Sequence, residues 1–241
     1  MHISEAIAQQ SKSKLFVSLA LKPGVTGQRV YTKIFNKYNI DAEYVACECT
    51  DLAADMELVR KHCAGASITM PYKQQVVQYI DVNYSPCTPV NTVVNTDGFL
   101  VGYNCDLMGL NDVLAGKLTG KTVKILGSGA MSQNAQIICR DQAKYFKVYS
   151  RKQENWMLRN TTYDVLINTT SIGMDGVESP VEAIRANLVV DCVIGTTPLH
   201  KQALPDNIPF ITGYDIYLAQ LKHQAKLYTG IAVENPYEFL A

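Results

Sequence analysis

The sequence lacks any apolar run approaching the ~18 residues a helix needs to cross a bilayer, so no membrane partner is expected. It also lacks an excess of charge of either sign: 22 Lys and Arg face 22 Asp and Glu, for a formal net charge of zero. That balance removes the basic footprint with which nucleic-acid binders attract phosphates, so no nucleic-acid partner is expected. Material for a metal centre is equally scarce. The four histidines stand apart at positions 2, 62, 200 and 223, and the seven cysteines (47, 49, 63, 87, 105, 139 and 192) contain no CxxC pair. No metal site is therefore expected, and the cysteines read as reduced, mostly buried thiols. Met1-His2-Ile3-Ser4-Glu5 offers neither a basic head nor an apolar stretch, so an export signal is not expected and the reading is of a cytoplasmic protein.

What is present is enough apolar material for a core. Of 241 residues, 47% are hydrophobic and only 18% charged, which at roughly 150 residues per domain suggests one or two folded domains. The first hundred residues alternate in type. Residues 14–19 (KLFVSL) suit a buried strand, and 28–39 place Val30, Ile34 and Tyr38 on one helical stripe. A second strand is predicted over 43–47, a helix over 51–63, a third strand over 66–70 and a helix over 73–80. Residues 90–102 read as a hairpin turning at Asn95-Thr96-Asp97-Gly98, where Gly98 supplies positive φ. After a linking helix at 107–115, a second unit begins: an apolar strand at 123–126, a helix to about 141, and strands at 146–149, 165–168, 188–191 and 209–212. A last helix is predicted over 216–229.

Between the strand at 123–126 and its helix lies Gly127-Ser128-Gly129-Ala130-Met131-Ser132. A first glycine allows the tight turn, a second lets backbone approach a pyrophosphate, and a small Ser132 permits close helix–sheet packing. The helix N-terminus then supplies N–H donors and positive dipole. A ligand-free tight turn produces the same glycine pair. The next strand ends in Ser150-Arg151-Lys152, where an NAD site would carry an acidic residue for the ribose hydroxyl. Two cations suit a 2′-phosphate instead, favouring NADP over NAD; the alternative is a solvated charge pair. Only the 13 residues 151–163 then precede the next strand, too few for a full crossover helix and strand. The adenine side of this domain therefore reads as shortened.

At Ser67-Ile68-Thr69-Met70-Pro71-Tyr72-Lys73 the sequence resembles the strand-to-helix lysine motif of the shikimate dehydrogenase family. Val90-Asn91-Thr92 and Val101-Gly102-Tyr103-Asn104-Cys105-Asp106 resemble its next motifs. The GSGAMS turn, Ser150-Arg151, residues 167–174 (INTTSIGM), and Ala219-Gln220 with Leu227-Tyr228-Thr229-Gly230 follow in family order. The resemblance implies an α/β protein of two domains: residues 1–106 with 214–241 binding substrate, and 107–213 forming a Rossmann-like NADP domain. It implies reversible hydride transfer between NADP(H) and a ring ketone or hydroxyl of shikimate, quinate or a related cyclic hydroxy acid, in a monomer or homodimer. Hydride addition to a ketone leaves an alkoxide that must gain a proton, and an ammonium held by a carboxylate performs that step. Lys73 and Asp106 match the catalytic pair. Thr69, Asn91 and Gln220 match residues that bind ring hydroxyls. The cofactor set implied is Gly127, Ser128, Gly129, Ala130, Ser150, Arg151, Lys152, Thr169, Thr170, Val193 and Gly213.

The chain departs from the family where a Ser-x-Ser element would grip the substrate carboxylate: Val25 and Gly27 stand there instead. Gly27-Gln28-Arg29 is similar to a shikimate dehydrogenase-like subgroup, and Ser18 is expected to meet the acid group, with Arg29 either helping it or standing as a solvated residue at the helix start. Ser67 stands where the family has asparagine, and Gly213-Tyr214-Asp215 replaces a Gly-x-Gly. Asp215 reads either as a carboxylate beside the nicotinamide or as the cap of the last helix. Two other functions stay open: a non-catalytic or weakly active binding or regulatory homologue without cofactor affinity, and an NADP enzyme of different chemistry, such as a methylene-tetrahydrofolate dehydrogenase relative.

Overall fold

The computed structural model describes residues 1–85 and 89–240, in two compact units. Cys87 lies outside the described residues. Unit 1 comprises Met1–Cys105 and Lys222–Ala241, unit 2 Asp106–Leu221.

Unit 1 is built on a six-stranded mixed sheet. Its strands are β1 (Lys14–Ala20), β2 (Ala42–Glu48), β3 (Gly65–Ile68), β4 (Val82–Asn83), β5 (Thr92–Thr96) and β6 (Phe99–Tyr103), in the order β2-β1-β3-β5-β6-β4. β1 pairs parallel with β2 and β3, whereas β5 runs antiparallel to β3 and β6. Alternation along β1 divides the core. Leu15, Val17 and Leu19 join Met56 and Val59 of α3 (Leu52–His62) and Ile3 of α1 (Ile3–Ala8) in one apolar cluster. Phe16, pointing the other way, packs on Phe35 of α2 (Thr26–Lys37) and on Tyr228, with ring centroids 5.7 and 4.7 Å away. The hairpin turns through Asp97 (φ 51°) and Gly98 (φ 87°), two left-handed residues that match the twist of the strands they join. Asn95 anchors it by donating to the Val59, Arg60 and Cys63 carbonyls at the end of α3.

Two expectations shift here. The helix expected over 73–80 contracts to a 3₁₀ turn at Gln75–Tyr79, a span too short for an α-helix and centred on β-branched Val76 and Val77. α1 was not visible in the sequence pattern because six residues carry too little periodicity; its start is fixed by Glu5 accepting from the His2 N–H at 2.8 Å.

Unit 2 holds a five-stranded sheet: β7 (Thr122–Leu126), β8 (Tyr145–Tyr149), β9 (Val165–Asn168), β10 (Leu188–Asp191) and β11 (Phe210–Ile211). The order is β11-β10-β9-β7-β8 and every pair is parallel. The strand order reverses between β7 and β9, and such switch points open a crevice beyond the strand C-termini. Helices α4 (Cys105–Leu114), α5 (Ala130–Gln142), α6 (Pro198–Ala203) and α7 (Gly213–Thr229) complete the helical set. The span after β8 forms a single 3₁₀ turn, Glu154–Leu158, rather than a crossover helix.

The two compact units divide inside α7, at Leu221/Lys222. The first half of this helix packs on α4 so closely that a Cβ on Gly109 would lie 2.4 Å from the Gln220 backbone nitrogen. Its second half carries Tyr228 onto Phe16. The strand 123–126, read as apolar, proves to bury Lys124 at 2% exposure. Cys47, Cys49, Cys63, Cys105 and Cys139 are buried thiols, as expected, and Cys192 is half-buried. Among the described residues no helix is long and apolar enough to cross a membrane, and no cluster of potential metal ligands occurs.

Gly109→Ala should destabilise the protein by about 1–3 kcal/mol, the usual cost of forcing a methyl against packed backbone. Gly129→Ala, whose Cβ meets nothing within 4 Å, should be nearly neutral by the same denaturant titration.

Candidate functional site

In unit 1 the expected substrate residues Ser18, Thr69, Lys73 and Asn91 collect toward one end of the central strands. The parallel strands β1 and β3 both end there, and β5 starts there because it runs the other way. Ser18 sits near the end of β1, in register with Ser67 of β3, so both hydroxyls occupy the same sheet face. Thr69 follows β3, its N–H donating to the Leu19 carbonyl at 3.1 Å. Lys73 is half-buried, and its carbonyl accepts from the Val90 N–H at 2.7 Å, which holds it against the segment leading into β5.

Asn91 is the next residue. It is 5% exposed, and its Oδ1 accepts from Thr92 Oγ1 and from the Cys105 N–H, each at 2.8 Å. The second of these bonds fixes where the chain leaves β6, one residue before half-buried Asp106 in the first turn of α4. A buried relay continues from Thr92, whose Oγ1 accepts from Gln224 Nε2 at 2.8 Å. Gln224 Oε1 in turn accepts from the Tyr31 hydroxyl at 2.9 Å. Buried polar atoms are costly unless paired, so this chain holds α2, α7, β5 and the exit of β6 in one arrangement.

Gln224 has no place in the sequence motifs and Tyr228 only a place in the closing-helix motif, although with Gln220 they recur every fourth residue along α7 and so share one helical face. Tyr228 Oη lies 3.0 Å from Ser67 Oγ, and burial pushes its phenol well above its ordinary pKa. Gln220 is 7% exposed and belongs to the first half of α7, in unit 2. Arg29 is exposed on α2 and makes no ion pair among the described residues.

In unit 2 the expected cofactor residues line the C-terminal ends of β7, β8, β9 and β10. Gly127 has φ +117°, and a Cβ there would come within 2.4 Å of Thr169 Oγ1, so only glycine fits. Its N–H donates to the Tyr149 carbonyl at 2.8 Å, and its carbonyl accepts from buried Ser132 Oγ at 2.9 Å. Ser128 and Gly129 are exposed, with open space where a Gly129 side chain would stand. Ala130 then opens α5 with no side-chain cap on its first N–H groups, which suits a bound phosphate.

Ser150 reaches back to Ser128, Oγ to Oγ at 3.1 Å, and accepts from the Lys152 N–H at 3.2 Å. Arg151 and Lys152 are exposed and pair with no carboxylate among the described residues. Across the switch point, Thr169 Oγ1 donates to the Leu126 carbonyl at 2.6 Å. Thr170 Oγ1 donates to Asn168 Oδ1 at 2.7 Å, and Asn168 Nδ2 donates to Asp191 Oδ1 at 2.9 Å. Asp191 is 1% exposed, and burial raises its carboxyl pKa against three donors: Thr197 Oγ1, the Val193 N–H and Asn168. That network fixes the backbone of Val193. Gly213 closes against it, since a Cβ there would fall 2.3 Å from the Val193 carbonyl oxygen. Asp215 Oδ2 accepts from the Thr212 N–H and Oγ1 at 2.8 and 2.7 Å, and Thr212 Oγ1 accepts from the Asp215 N–H at 3.2 Å, so the two form the capping box that starts α7.

A depression of about 480 Å³ also opens in unit 1, at the opposite end of β1, lined by Lys14, Arg60, His62, Asn95 and Asp97. Its Arg60 guanidinium is spent on Asp81 and on the Tyr79 and Gly98 carbonyls, a structural clasp at the hairpin turn.

A mixed α/β unit with polar side chains gathered at one end of its central strands, joined to a parallel dinucleotide-type unit with a glycine turn at its switch point, defines a two-domain oxidoreductase-like architecture. Residues 26–96 match the family model described as the shikimate dehydrogenase substrate binding domain. The chain is 32% identical to a shikimate dehydrogenase (NADP(+)) of Streptococcus sanguinis, over 83% of this chain and 86% of that one. It is 31% identical to the Pyrococcus abyssi protein of the same name, over 84% and 86%. In fold it is similar to a shikimate 5-dehydrogenase-like protein (TM-score 0.84, 24% identity, 96% and 97% covered). It is likewise similar to the Thermus thermophilus shikimate 5-dehydrogenase solved with NADP(H) and shikimate (TM-score 0.82, 21% identity, 94% and 97% covered). The chain belongs to the shikimate dehydrogenase family.

Gln224→Leu removes the acceptor of Tyr31 and the donor to Thr92 while keeping an apolar volume. It should cost about 1–3 kcal/mol in urea unfolding, the penalty for buried groups left unpaired.

Proposed function

We propose that the chain is an NADP(H)-dependent oxidoreductase that interconverts a ring ketone and a ring hydroxyl on shikimate or a closely related cyclic hydroxy acid. The observation that carries this reading is the gathering of Ser18, Thr69, Lys73 and Asn91 at the strand ends where β6 hands the chain to Asp106. The relatives named shikimate dehydrogenase (NADP(+)) support the same reaction and cofactor.

When bound, the cofactor supplies or accepts the hydride. The chain's part is the proton. In the reducing direction Lys73 Nζ faces the developing alkoxide, stabilises its charge and delivers the proton; in the other direction it takes the proton back. Asp106 holds that ammonium in place. Asn91 and Thr69 orient ring hydroxyls without adding charge, Gln220 supplies a second amide, and Ser18 receives the acid group with help from Arg29.

The Gly127 turn and the uncapped start of α5 cradle the pyrophosphate. Arg151 and Lys152 meet the 2′-phosphate, with Ser150 setting their backbone. Thr169, Thr170, Val193 and Gly213 shape the nicotinamide side.

A second reading, a binding or regulatory homologue without cofactor affinity, is favoured by one feature: the crossover after β8 is reduced to one 3₁₀ turn. Calorimetry separates the two, since that protein would bind a cyclic acid and not NADP(H).

Turnover of shikimate with NADP⁺, followed by the absorbance of the reduced nicotinamide, is the direct test. Lys73→Ala should lower kcat by about 10²–10⁴-fold with the fold intact, the range for losing a general acid–base group. Arg151→Ala should weaken NADPH about tenfold and leave NADH unchanged, as loss of one charge-assisted phosphate contact predicts. Absence of turnover across shikimate, quinate and aminoshikimate would refute the oxidoreductase reading.

A further inference from the structure

Strands buried on both faces of a parallel sheet read as near-continuous apolar runs. β7 breaks that rule at its centre. Lys124 is 2% exposed, makes no ion pair among the described residues, and buries its whole length within unit 2.

Its Nζ donates to the Arg159 carbonyl at 2.7 Å and to the Thr161 carbonyl, with the Tyr163 ring centroid 5.5 Å away. Burial lowers its pKa to about 8. Both acceptors belong to residues 151–163, the span that replaces a crossover helix. A helix satisfies its own carbonyls; an irregular span laid against a sheet does not, and each buried carbonyl left without a donor costs free energy. A strand residue that reaches these two carbonyls needs a long stem and several N–H donors, which a lysine has and an apolar residue lacks.

The rest of the span is pinned in the same manner. Arg159 Nε donates to the Pro180 carbonyl at 3.0 Å, and the Tyr149 and Tyr163 hydroxyls meet at 3.0 Å. Asn155 donates to the Val148 carbonyl at 2.9 Å and accepts from the Ser150 N–H at 3.3 Å. The span thus begins at the exposed Arg151–Lys152 pair and ends on the buried ammonium.

We propose that Lys124 is a positioning residue for the adenine side of the cofactor: it anchors residues 151–163 onto β7 in place of the missing helix, and so sets where Arg151 and Lys152 present their charge to a 2′-phosphate. The proposal rests on the NADP(H) reading above. It concerns the choice between NADPH and NADH, not the chemical step.

The test compares wild type with Lys124→Met and Lys124→Arg, after circular dichroism shows that each is folded; Lys124→Gln replaces the Met variant if that one does not fold. Calorimetry gives the affinities for NADPH and NADH, and amide hydrogen exchange reports on residues 151–163 without ligand. The Met variant should lose protection in that span, bind NADPH about tenfold more weakly and bind NADH within twofold of wild type. The Arg variant, which keeps donors of similar reach, should retain most of the discrimination. Unchanged exchange in the Met variant, or equal weakening of NADPH and NADH, would overturn the proposal. Failure of the wild type to bind either dinucleotide would overturn the cofactor reading, and with it the phosphate half of this one, while hydrogen exchange would still decide the anchoring half.

Discussion

One carboxamide oxygen carries an unusual share of unit 1. Asn91 Oδ1 receives two buried donors, the hydroxyl of Thr92 and the N–H of Cys105. Through Thr92 it is coupled to Gln224 and Tyr31, so four elements share one hydrogen-bonded chain in which each polar atom depends on the next. The residue that ends this chain also neighbours Val90, whose N–H holds the Lys73 carbonyl. A displacement of Asn91 would therefore be felt both at the lysine and at the point where the backbone turns toward Asp106. The proton-transfer pair proposed for Lys73 and Asp106 would need such a buried support, because misplacement by an ångström is costly in rate.

The same economy appears in unit 2, with backbone geometry in place of a side-chain relay. The switch point between β7 and β9 opens a crevice, and Gly127 and Thr169 stand on its two walls. They fit each other: the glycine leaves room for the threonine, and the threonine hydroxyl bonds back to Leu126. Behind them Asn168, Asp191 and Thr197 form a second buried network, which ends in the cap of α6. The raised pKa of Asp191 is the cost of placing a carboxyl there, and its three donors are what make the placement tolerable.

Much of this was legible in the sequence, for identifiable reasons. Strands and long helices announced themselves by period, the hairpin by Asp97-Gly98, and the crevice by glycines set between a strand and a helix. The short elements were not legible, because six residues of α1 or of α6 contain less than two turns of pattern. Lys124 passed unnoticed inside an apolar run for a related cause: periodicity reports the average of a strand and not the one residue that breaks it. The Gln220, Gln224 and Tyr228 stripe was present at a spacing of four, yet polar stripes usually face solvent, and only the structure shows all three buried, with Thr92, Tyr31 and Ser67 as partners of the last two. Asp215 had two readings from sequence, and its bonds to Thr212 select the cap.

Two departures from the family pattern share a physical logic. Where a Ser-x-Ser element is missing, the sheet face at the end of β1 still carries hydroxyls, from Ser18, Ser67 and Tyr228. Where a crossover helix is missing, a lysine in the adjacent strand supplies the donors that the shorter backbone requires. In both places side chains reaching from the sheet, joined in unit 1 by Tyr228 of α7, stand where the family pattern or a crossover would supply the polar groups. Such replacements keep the positions of polar groups while shortening the chain between them. They also concentrate the requirement on single residues: a helix tolerates many substitutions along its surface, but two inward-facing carbonyls served by one ammonium tolerate few.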